Sequence, residues 1–484
     1  MKGNSAPDEA GQMKWDFDVV VIGSGVAGLS AAAEAADRGA TVVVLEAEPT
    51  IGGASMMSGG ACCLVDTPEQ RIAGILDSPE LALRDWARTG GQTADLTWAE
   101  MYLRDSCVEV RDWCENLGVR WGAPILMEGN SAPRWHTPEG WGPGIMECLM
   151  NRLELLGVRV VTGARVVEIL ISRDRACGVR VTGTSLPDVV SSRSVIVATG
   201  GFTNNQQMLR TANPSLFSGS RTLLGGSPTA RGSGHDLLAA VGAIFVSMGN
   251  IWVYPNGTPD PRDATGERGL GVRGAITELW LNSAGERFHD ESQRGGRSGT
   301  GALLAQERRT AWSVFDASEL PRILVIDNDF YATPAGPHTE AMTSFWRDSP
   351  YTAIADTLAE LAQKTALPLA ALTNSIERFN EAVSSGMDKD PLTERQLAGL
   401  APVGAHGFAA VQYFPLAQKN FGGVRTDTEC RVLGASCHPV NGLYAAGEVA
   451  GMAGGTINGA AALEGTMFGP SLYSGRIAGR AAEC

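Results

Sequence analysis

Histidine and positive charge are scarce in this chain, and its nine cysteines are poorly arranged for metal chemistry. There are six histidines in 484 residues, and none of the cysteines (Cys62, Cys63, Cys107, Cys114, Cys148, Cys177, Cys430, Cys437, Cys484) forms a Cys-x-x-Cys pair. Zinc and iron–sulfur spacings are therefore missing, and no metal site is expected. The cysteine count is odd and scattered, which in a chain this long reads as reduced thiols of a cytoplasmic protein. A redox pair at Cys62–Cys63 is the alternative. Lys and Arg number 39 against 53 Asp and Glu, a net charge of −14. That balance excludes a broad nucleic-acid face and an anionic membrane surface as partners, and reads most simply as solubility. The apolar run from Val19 to Ala36 is broken by Gly, Ser and Glu34, so no membrane span is expected. MKGNSAPDEAGQM at the start has no apolar core, so it is not a signal peptide, and residues 1–13 are expected to be a disordered leader. Internal repeats and low-complexity tracts are lacking.

Glycine, by contrast, is abundant at 60 residues, and its placement is informative. FDVVVI (17–22) reads as a buried strand, LSAAAEAADRG (29–39) as a helix, and TVVVLE (41–46) as a second strand ending on an acid. Between the first two stands Gly23-Ser24-Gly25-Val26-Ala27-Gly28, with all three glycines of G-x-G-x-x-G. Gly23 permits the tight turn, Gly25 lets a pyrophosphate approach the backbone, and Gly28 lets the helix pack close to the strand. Phosphates would sit on the unpaired N–H groups at the helix start. Glu46, 18 residues past Gly28, is spaced to accept from a ribose hydroxyl. A glycine-rich turn of another α/β sheet would not need three glycines at this spacing, so the segment is read as a dinucleotide-binding βαβ unit.

A chain of this length predicts two or three domains. EPTIGGASMMSGG (48–60) is a Gly/Ser-rich loop. Thr97–Leu117 predicts one amphipathic helix, capped by Thr97 with Glu100 and stopped by Gly118. Strands are expected in 158–170, 178–183 and 194–201, and helices at Ile145–Leu156 and in 232–243. Residues 248–275 are loop-rich, with Pro255, Pro259 and Pro261. Helices follow at Ala353–Lys364 and Leu369–Ser384, and DKDPLTERQ (388–396) reads as a polar connector. Glycine-rich α/β character returns from about 405. The expected organisation is a nucleotide-binding domain at 14–247 and 405–484, interrupted at 248–404 by a capping and substrate domain.

Several motifs, in order, resemble one family. GSGVAGLSAAAEA (23–35), IGGASMMSGG (51–60), VIVATGGF (195–202), LNSAGERFHDES (281–292), NFGGVRTD (420–427), GLYAAGEVAGMAGG (442–455) and GAAALEGTMFGPSLYSGRIAGRAA (459–482) are similar to the fumarate reductase/succinate dehydrogenase flavoproteins, closest to the 3-ketosteroid dehydrogenase branch. The resemblance implies an α/β fold, with a Rossmann-like FAD-binding domain of the glutathione-reductase type and an inserted α+β capping domain. It implies a cofactor set of Gly23, Ser24, Gly25, Val26, Ala27, Gly28, Glu46, Ala47, Gly52, Gly53, Ala54, Ser55, Ser58, Gly59, Gly60, Val166, Ala198, Thr199, Gly200, Gly447, Glu448, Ala460, Ala462 and Leu463. GAAALEG is expected to begin a helix whose N-terminus faces the pyrimidine side of the flavin, where positive dipole stabilises the reduced ring. Covalently flavinylated relatives carry a His after the Gly-Gly pair. Here Ala54-Ser55-Met56-Met57-Ser58 follows, so FAD is expected to be non-covalent.

The family moves hydride between flavin and a carbon near an activating carbonyl, while a protein acid or base handles the neighbouring proton. Its N-x-x-G-x-R-F frame stands here as Asn282 to Phe288, leading into the loop His289 to Arg297. In steroid Δ4-dehydrogenases a Tyr of this loop is the base, and Arg294 falls at that position; Arg297 matches the Arg that follows. Arginine stays protonated, so it suits a proton donor, a carboxylate clamp or an enolate stabiliser better than a base. The alternative is a structural ion pair. Where steroid dehydrogenases place a ketone-polarising Tyr, this chain has Thr456 and Asn458, expected to donate to a carbonyl. Fumarate reductases place a clamping His and Arg where Asn458 and Ala462 stand. Tyr254, Tyr331 and Tyr413, and His136, His235, His289 and His406, are lesser candidates, with His235 read as structural or near the nucleotide. The expected activity is desaturation of a cyclic ketone α,β to its carbonyl, coupled to an electron acceptor of unknown identity. The alternatives are a fumarate-type enoate reductase, a nicotinamide-dependent dehydrogenase and a non-catalytic flavin-binding subunit.

Overall fold

FDVVVI does form a strand, β1 (Phe17–Ile22), whose last four side chains are buried. Helix α1 (Val26–Asp37) follows, then β2 (Val42–Leu45), buried throughout. The computed structural model describes residues 15–219, 221–273, 277–293, 298–326, 331–332, 336–337 and 339–484. These form two compact units, one from residues 15–208, 227–251 and 419–484, the other from the described residues within 209–226 and 252–418.

The first unit continues with helices α2 (Pro79–Gly90) and α3 (Leu96–Asp105). The expected helix over 97–117 is present, with two differences. Its cap is Asp95, whose side chain accepts from the N–H groups of Thr97 and Trp98, rather than Thr97. Midway, over Ser106–Asp112, it loosens into a π-helical stretch. There Arg476 takes the Glu109 carbonyl and Trp121 Nε1 donates to the Arg111 carbonyl (3.2 Å), drawing both from the regular ladder. Helix α4 (Trp141–Leu155) leads to β3 (Arg159–Val161), then β4 (Arg165–Ser172), β5 (Arg175–Thr182) and β6 (Val189–Val197). Helix α5 (Ser233–Ala240) starts from Gly232, at φ +83°.

The second unit is built on an antiparallel sheet. Its strands are β7 (Ile251–Pro259), β8 (Gly269–Arg273), β9 (Leu279–Leu281), β10 (Ala311–Asp316), β11 (Leu324–Ile326), β12 (Thr352–Ala355) and β13 (Phe408–Asn420). Their order is β9-β10-β13-β7-β8-β11, with β12 also on β13. Helices α6 (Leu358–Thr365) and α7 (Leu369–Ser384) pack an apolar face that includes Leu361, Leu372, Ile376 and Phe379 against this sheet. Against the cap expected at 248–404, this stretch of the unit runs from 252 to 418, because β13 is zipped into the antiparallel sheet. The stretch 209–226 joins the same unit because Leu223–Leu224 pairs with Leu416–Ala417. The helix expected from Ala353 begins only at Leu358, capped by Thr357, after β12.

The chain then returns to the first unit with β14 (Arg431–Leu433), β15 (Pro439–Ala445) and helix α8 (Phe468–Ala481). Strands β15, β6, β1, β2 and β3 lie side by side in parallel, the core of an eight-stranded sheet. The first half of β6 belongs to an antiparallel meander with β5 and β4. Helix α8 packs on α1 through small residues. A Cβ on Gly475 would lie 2.2 Å from the Ala27 carbonyl oxygen, and one on Gly479 2.2 Å from that of Ala31.

Residues 451–467, expected to open a helix at 459, are instead a run of turns, and α8 begins at Phe468. Gly454, Gly455, Gly459 and Gly465 all sit at positive φ. The backbone of this run bonds outward: Ala460 N–H to the Gly90 carbonyl (3.0 Å), and the Ile457 carbonyl to Trp86 Nε1 (2.9 Å).

Candidate active site and cofactor cleft

The carboxyl ends of β1, β2, β6 and β15 open onto one cleft, the position where open parallel sheets bind ligands. It encloses about 1330 Å³, including space open to solvent. The three fingerprint glycines differ in what surrounds them. Gly23 turns at φ +102°, and a Cβ there would lie 2.5 Å from the Ala198 carbonyl oxygen. A Cβ on Gly28 would lie 2.0 Å from the Gly23 carbonyl oxygen, so the helix sits against the turn at a distance only glycine permits. A Cβ on Gly25 would meet nothing closer than Ser55 Oγ at 3.7 Å. The protein does not fill the space at Gly25; it faces the cleft.

The start of α1 carries no side-chain cap from Gly25, and its Val26 N–H donates to Ser55 Oγ (3.0 Å). Ser24 ties three strands of chain together. Its N–H and hydroxyl both donate to Glu46 Oε2 (2.9 and 2.6 Å), and its oxygen accepts from Gly52 N–H (3.0 Å). Glu46 Oε1 accepts from Glu48 N–H (2.9 Å). The acid at the end of β2 is thus oriented by the fingerprint itself.

Gly23, Ser24, Gly25, Val26, Ala27, Glu46, Ala47, Gly53, Ala54, Ser55, Ser58, Val166, Ala198, Thr199, Gly200, Gly447 and Glu448 all line the cleft. Gly28, Gly52, Gly59, Gly60, Ala460, Ala462 and Leu463 are outside this wall. Gly52 backs onto Met56 and Gly60 onto the Gly142 backbone, while Ala462 and Leu463 are buried in the turn run. Sequence reading missed Arg165, Thr229, Arg231, Lys419 and the first turn of α8 (Met467, Phe468, Ser471), which also line it. No glycine fingerprint marks these; they reach the cleft through tertiary folding. Helix α8 does present its N-terminal turn to the cleft, beginning at Phe468 rather than at 459.

Glu448 follows the left-handed turn at Gly447 (φ +75°) and is pinned by Asn420. The Asn420 N–H donates to Glu448 Oε1 (3.1 Å), its Nδ2 to the Glu448 carbonyl (3.0 Å), and its Oδ1 accepts from Phe202 N–H (3.1 Å). NFGGVRTD was recognised as a motif, and this is what its leading Asn does. Burial pushes the Glu448 carboxyl up to about 7, against the opposing pull of Lys419 and the Asn420 N–H.

The catalytic candidates divide differently. Arg294 and Arg297 lie outside the described residues. Thr456 and Asn458, expected to face a substrate carbonyl, are engaged within the protein. The Thr456 hydroxyl donates to the Thr93 carbonyl (3.2 Å). Asn458 is buried, its Nδ2 donating to the Thr466 carbonyl (2.9 Å) and its Oδ1 accepting from the Thr466 hydroxyl (2.7 Å). Both hold the turn run in shape. Tyr413 donates to the buried Glu278 (3.0 Å), and His136 bridges Thr67 Oγ1 (2.9 Å) and the Arg134 carbonyl (2.8 Å). His289 Nε2 meets the Gln293 carbonyl (2.7 Å) and His406 Nδ1 meets Asp316 (3.2 Å). Tyr254 lies edge-on to Trp252, and the side chain of Tyr331 is outside the described residues. His235 is buried between Phe202 and Phe245, a structural place.

These residues fit FAD. The cleft has an open glycine at Gly25 and an oriented acid at Glu46. The profile of the FAD binding domain family matches residues 18–467. The chain belongs to the fumarate reductase/succinate dehydrogenase flavoprotein family. Members of this flavoprotein family are FAD-dependent oxidoreductases of CH–CH groups. The chain is 30% identical over 96% of its length to a KsdD-like steroid dehydrogenase of Mycobacterium tuberculosis, covering 95% of that protein. It resembles the 3-ketosteroid-Δ4-(5α)-dehydrogenase of Rhodococcus jostii RHA1, solved with 4-androstene-3,17-dione, with TM-score 0.73 and 28% identity over 98% of this chain and 99% of that one. A flavocytochrome c3 fumarate reductase gives TM-score 0.74 and 26% identity over 96% of this chain and 78% of that one. The α/β fold of this flavoprotein is the one these structures share.

Proposed function

We propose that this flavoprotein desaturates a cyclic ketone, steroid-like or smaller, α,β to its carbonyl, and passes the electrons to a separate acceptor. The observation that carries the reading is the cleft, built to hold FAD at the carboxyl edge of the parallel sheet, in a chain similar over its whole length to steroid dehydrogenases. FAD, when bound, supplies the two-electron acceptor. Arg294 and Arg297 are assigned to the carbonyl side of the reaction, as fixed positive charge that stabilises the enolate while the α-proton is lost to water; proton donation by them belongs to the reverse, reducing direction. Thr456 and Asn458 are assigned to shaping the turn run.

FAD is held without a covalent bond on this reading: among the described residues lining the cleft there is no His, Cys or Tyr to attach it. Nine unbridged thiols support a reducing, cytoplasmic compartment. The test is to mix purified protein with a 3-ketosteroid or a smaller cyclic ketone, then with an artificial electron acceptor. Flavin absorbance is expected to bleach and return. If no carbonyl compound exchanges electrons with the flavin in either direction, the reading is wrong.

Arg294 at the place of a tyrosine base favours a second reading, reduction of an unsaturated carboxylate or enone. Reoxidation of the dithionite-reduced protein by fumarate, with no response to ketones, is the outcome that selects it.

A further inference from the structure

Between a short helical turn, Pro68–Ile72, and the start of α2 the chain holds apolar side chains out in water. The stretch reads Ile72-Ala73-Gly74-Ile75-Leu76. Ile72 is 88% exposed and Leu76 92%, the two most exposed large hydrophobic side chains among the described residues. A slack loop could carry such side chains without consequence, but this one is fastened at both ends. At its start Thr67 and Gln70 form a capping box, Thr67 N–H to Gln70 Oε1 (2.9 Å) and Gln70 N–H to Thr67 Oγ1 (3.2 Å). Gln70 Nε2 also donates to the Pro133 carbonyl (2.7 Å) and to Asp77 (2.9 Å). Across the tip, the N–H groups of Ala73, Gly74 and Ile75 return to the carbonyls of Glu69, Arg71 and Gln70. At its end the Asp77 side chain is fully buried and takes Arg134 Nε and Nη2 (2.8 and 2.7 Å), and the next residue, Ser78, caps α2. The fold therefore sets two branched aliphatic side chains on a pedestal anchored by a buried ion pair.

Charge and area narrow what such a tip meets. Every charged residue of 66–77 is paired: Arg71 with Asp66 (2.9 Å), Glu69 with Arg111 (2.6 Å) and Asp77 with Arg134 (2.7 Å). The segment offers no free charge to an oppositely charged partner, and the net charge of −14 opposes an anionic lipid surface. A second copy of the chain, or another protein, needs an interface of about 800 Å² a side, well beyond what two side chains supply. A lipid surface needs no matching face, because apolar side chains enter the headgroup–acyl boundary and gain in proportion to the area they bury. We propose that the 72–76 tip is an interfacial anchor, dipping Ile72 and Leu76 into a zwitterionic lipid surface of no net charge, so that the protein associates weakly and reversibly with a membrane it does not span. The anchor stands apart from the cofactor cleft and from the reaction proposed above, and its failure leaves both untouched.

The test is co-sedimentation of the purified full chain with sucrose-loaded phosphatidylcholine vesicles at about 5 mM lipid, enough to register an association no stronger than that of a single acyl chain. Wild type is expected to pellet in part with the vesicles. I72S and L76S are each expected to lower the ratio of bound to free protein about tenfold, and the double variant about a hundredfold. Flavin content and the urea midpoint are expected to stay those of wild type, because both side chains stand clear of the interior. Binding is expected to survive a rise in salt from about 0.1 to about 1 M, and added phosphatidylserine is not expected to strengthen it. Wild type left wholly in the supernatant overturns the proposal without needing any variant. Variants that bind as wild type does overturn it too, since another surface then holds the lipid. Binding that requires phosphatidylserine and vanishes at high salt overturns it by showing charge as the driving force. Lipid-free gel filtration covers the remaining occupant: self-association of wild type that the double variant abolishes makes the tip a contact between copies and overturns the lipid reading.

Discussion

At the scale of single residues, the fingerprint acts by exclusion as much as by contact. Gly28 is within van der Waals overlap of the Gly23 carbonyl for any larger side chain. Gly28→Ala is expected to cost about 1–3 kcal/mol of stability and to lower retained FAD, read by urea unfolding and by flavin content after gel filtration. His235 carries a pH prediction. Burial pulls its imidazole down to about 4 from the ordinary 6.5. Between those values the unfolded chain binds the proton and the native chain does not, so stability rises with pH through this window and is lost as pH falls from about 6.5 toward 4. His235→Phe, packed between Phe202 and Phe245, is expected to flatten that part of the stability profile. An unchanged acid limb in urea melts at pH 4.5 and 6.5 would contradict the buried neutral state. Arg294→Ala is expected to lower turnover at least about a hundredfold with flavin content unchanged. Unaltered turnover would remove Arg294 from the chemistry.

At the scale of elements, the second unit is locked by charge where its sequence looks solvated. Glu291 accepts from Arg287 Nε and Nη2 (2.9 and 2.9 Å) and from Arg395 (3.2 Å), and Arg287 also pairs with Asp390 (2.6 Å), all buried. These partners end the N-x-x-G-x-R-F frame and come from the stretch 388–396 that reads as a polar connector. Arg287 and Asp390 are 103 residues apart, so no local pattern announces the pair. Glu291→Ala leaves two buried guanidinium groups short of a partner and is expected to destabilise by about 3–5 kcal/mol, measured by chemical unfolding. The same distance effect hides Arg134, fully buried between Asp77 (2.7 Å) and Asp85 (2.6 Å) in the first unit. What was legible were features fixed by neighbours in sequence: the βαβ periodicity, the turn glycines and the acid after β2. What was not legible depended on remote partners. The Asp95 cap displaced the expected Thr97 cap only by two residues. The turn run 451–467 replaced an expected helix because its backbone groups bond to the α2–α3 corner and its glycines adopt left-handed conformations.

At the scale of the molecule, the two units differ in how far sequence patterns define them. The parallel sheet and its cleft follow from motifs whose glycine, serine and acid positions have separate physical jobs, and most residues named from those motifs line one cavity. The antiparallel unit has no such fingerprint. Its boundary moved because β13 pairs along its length with strands far earlier in the chain. The cofactor cleft belongs to the legible unit. The most direct test is therefore the visible spectrum of the full chain purified at neutral pH, with acid precipitation to release whatever is bound. The expected result is a yellow protein carrying about one FAD per chain, all of it freed into the acid supernatant, whose absorbance bleaches with a cyclic ketone. A colourless protein that takes up no FAD on incubation would contradict the cleft, the family chemistry and the proposed reaction together.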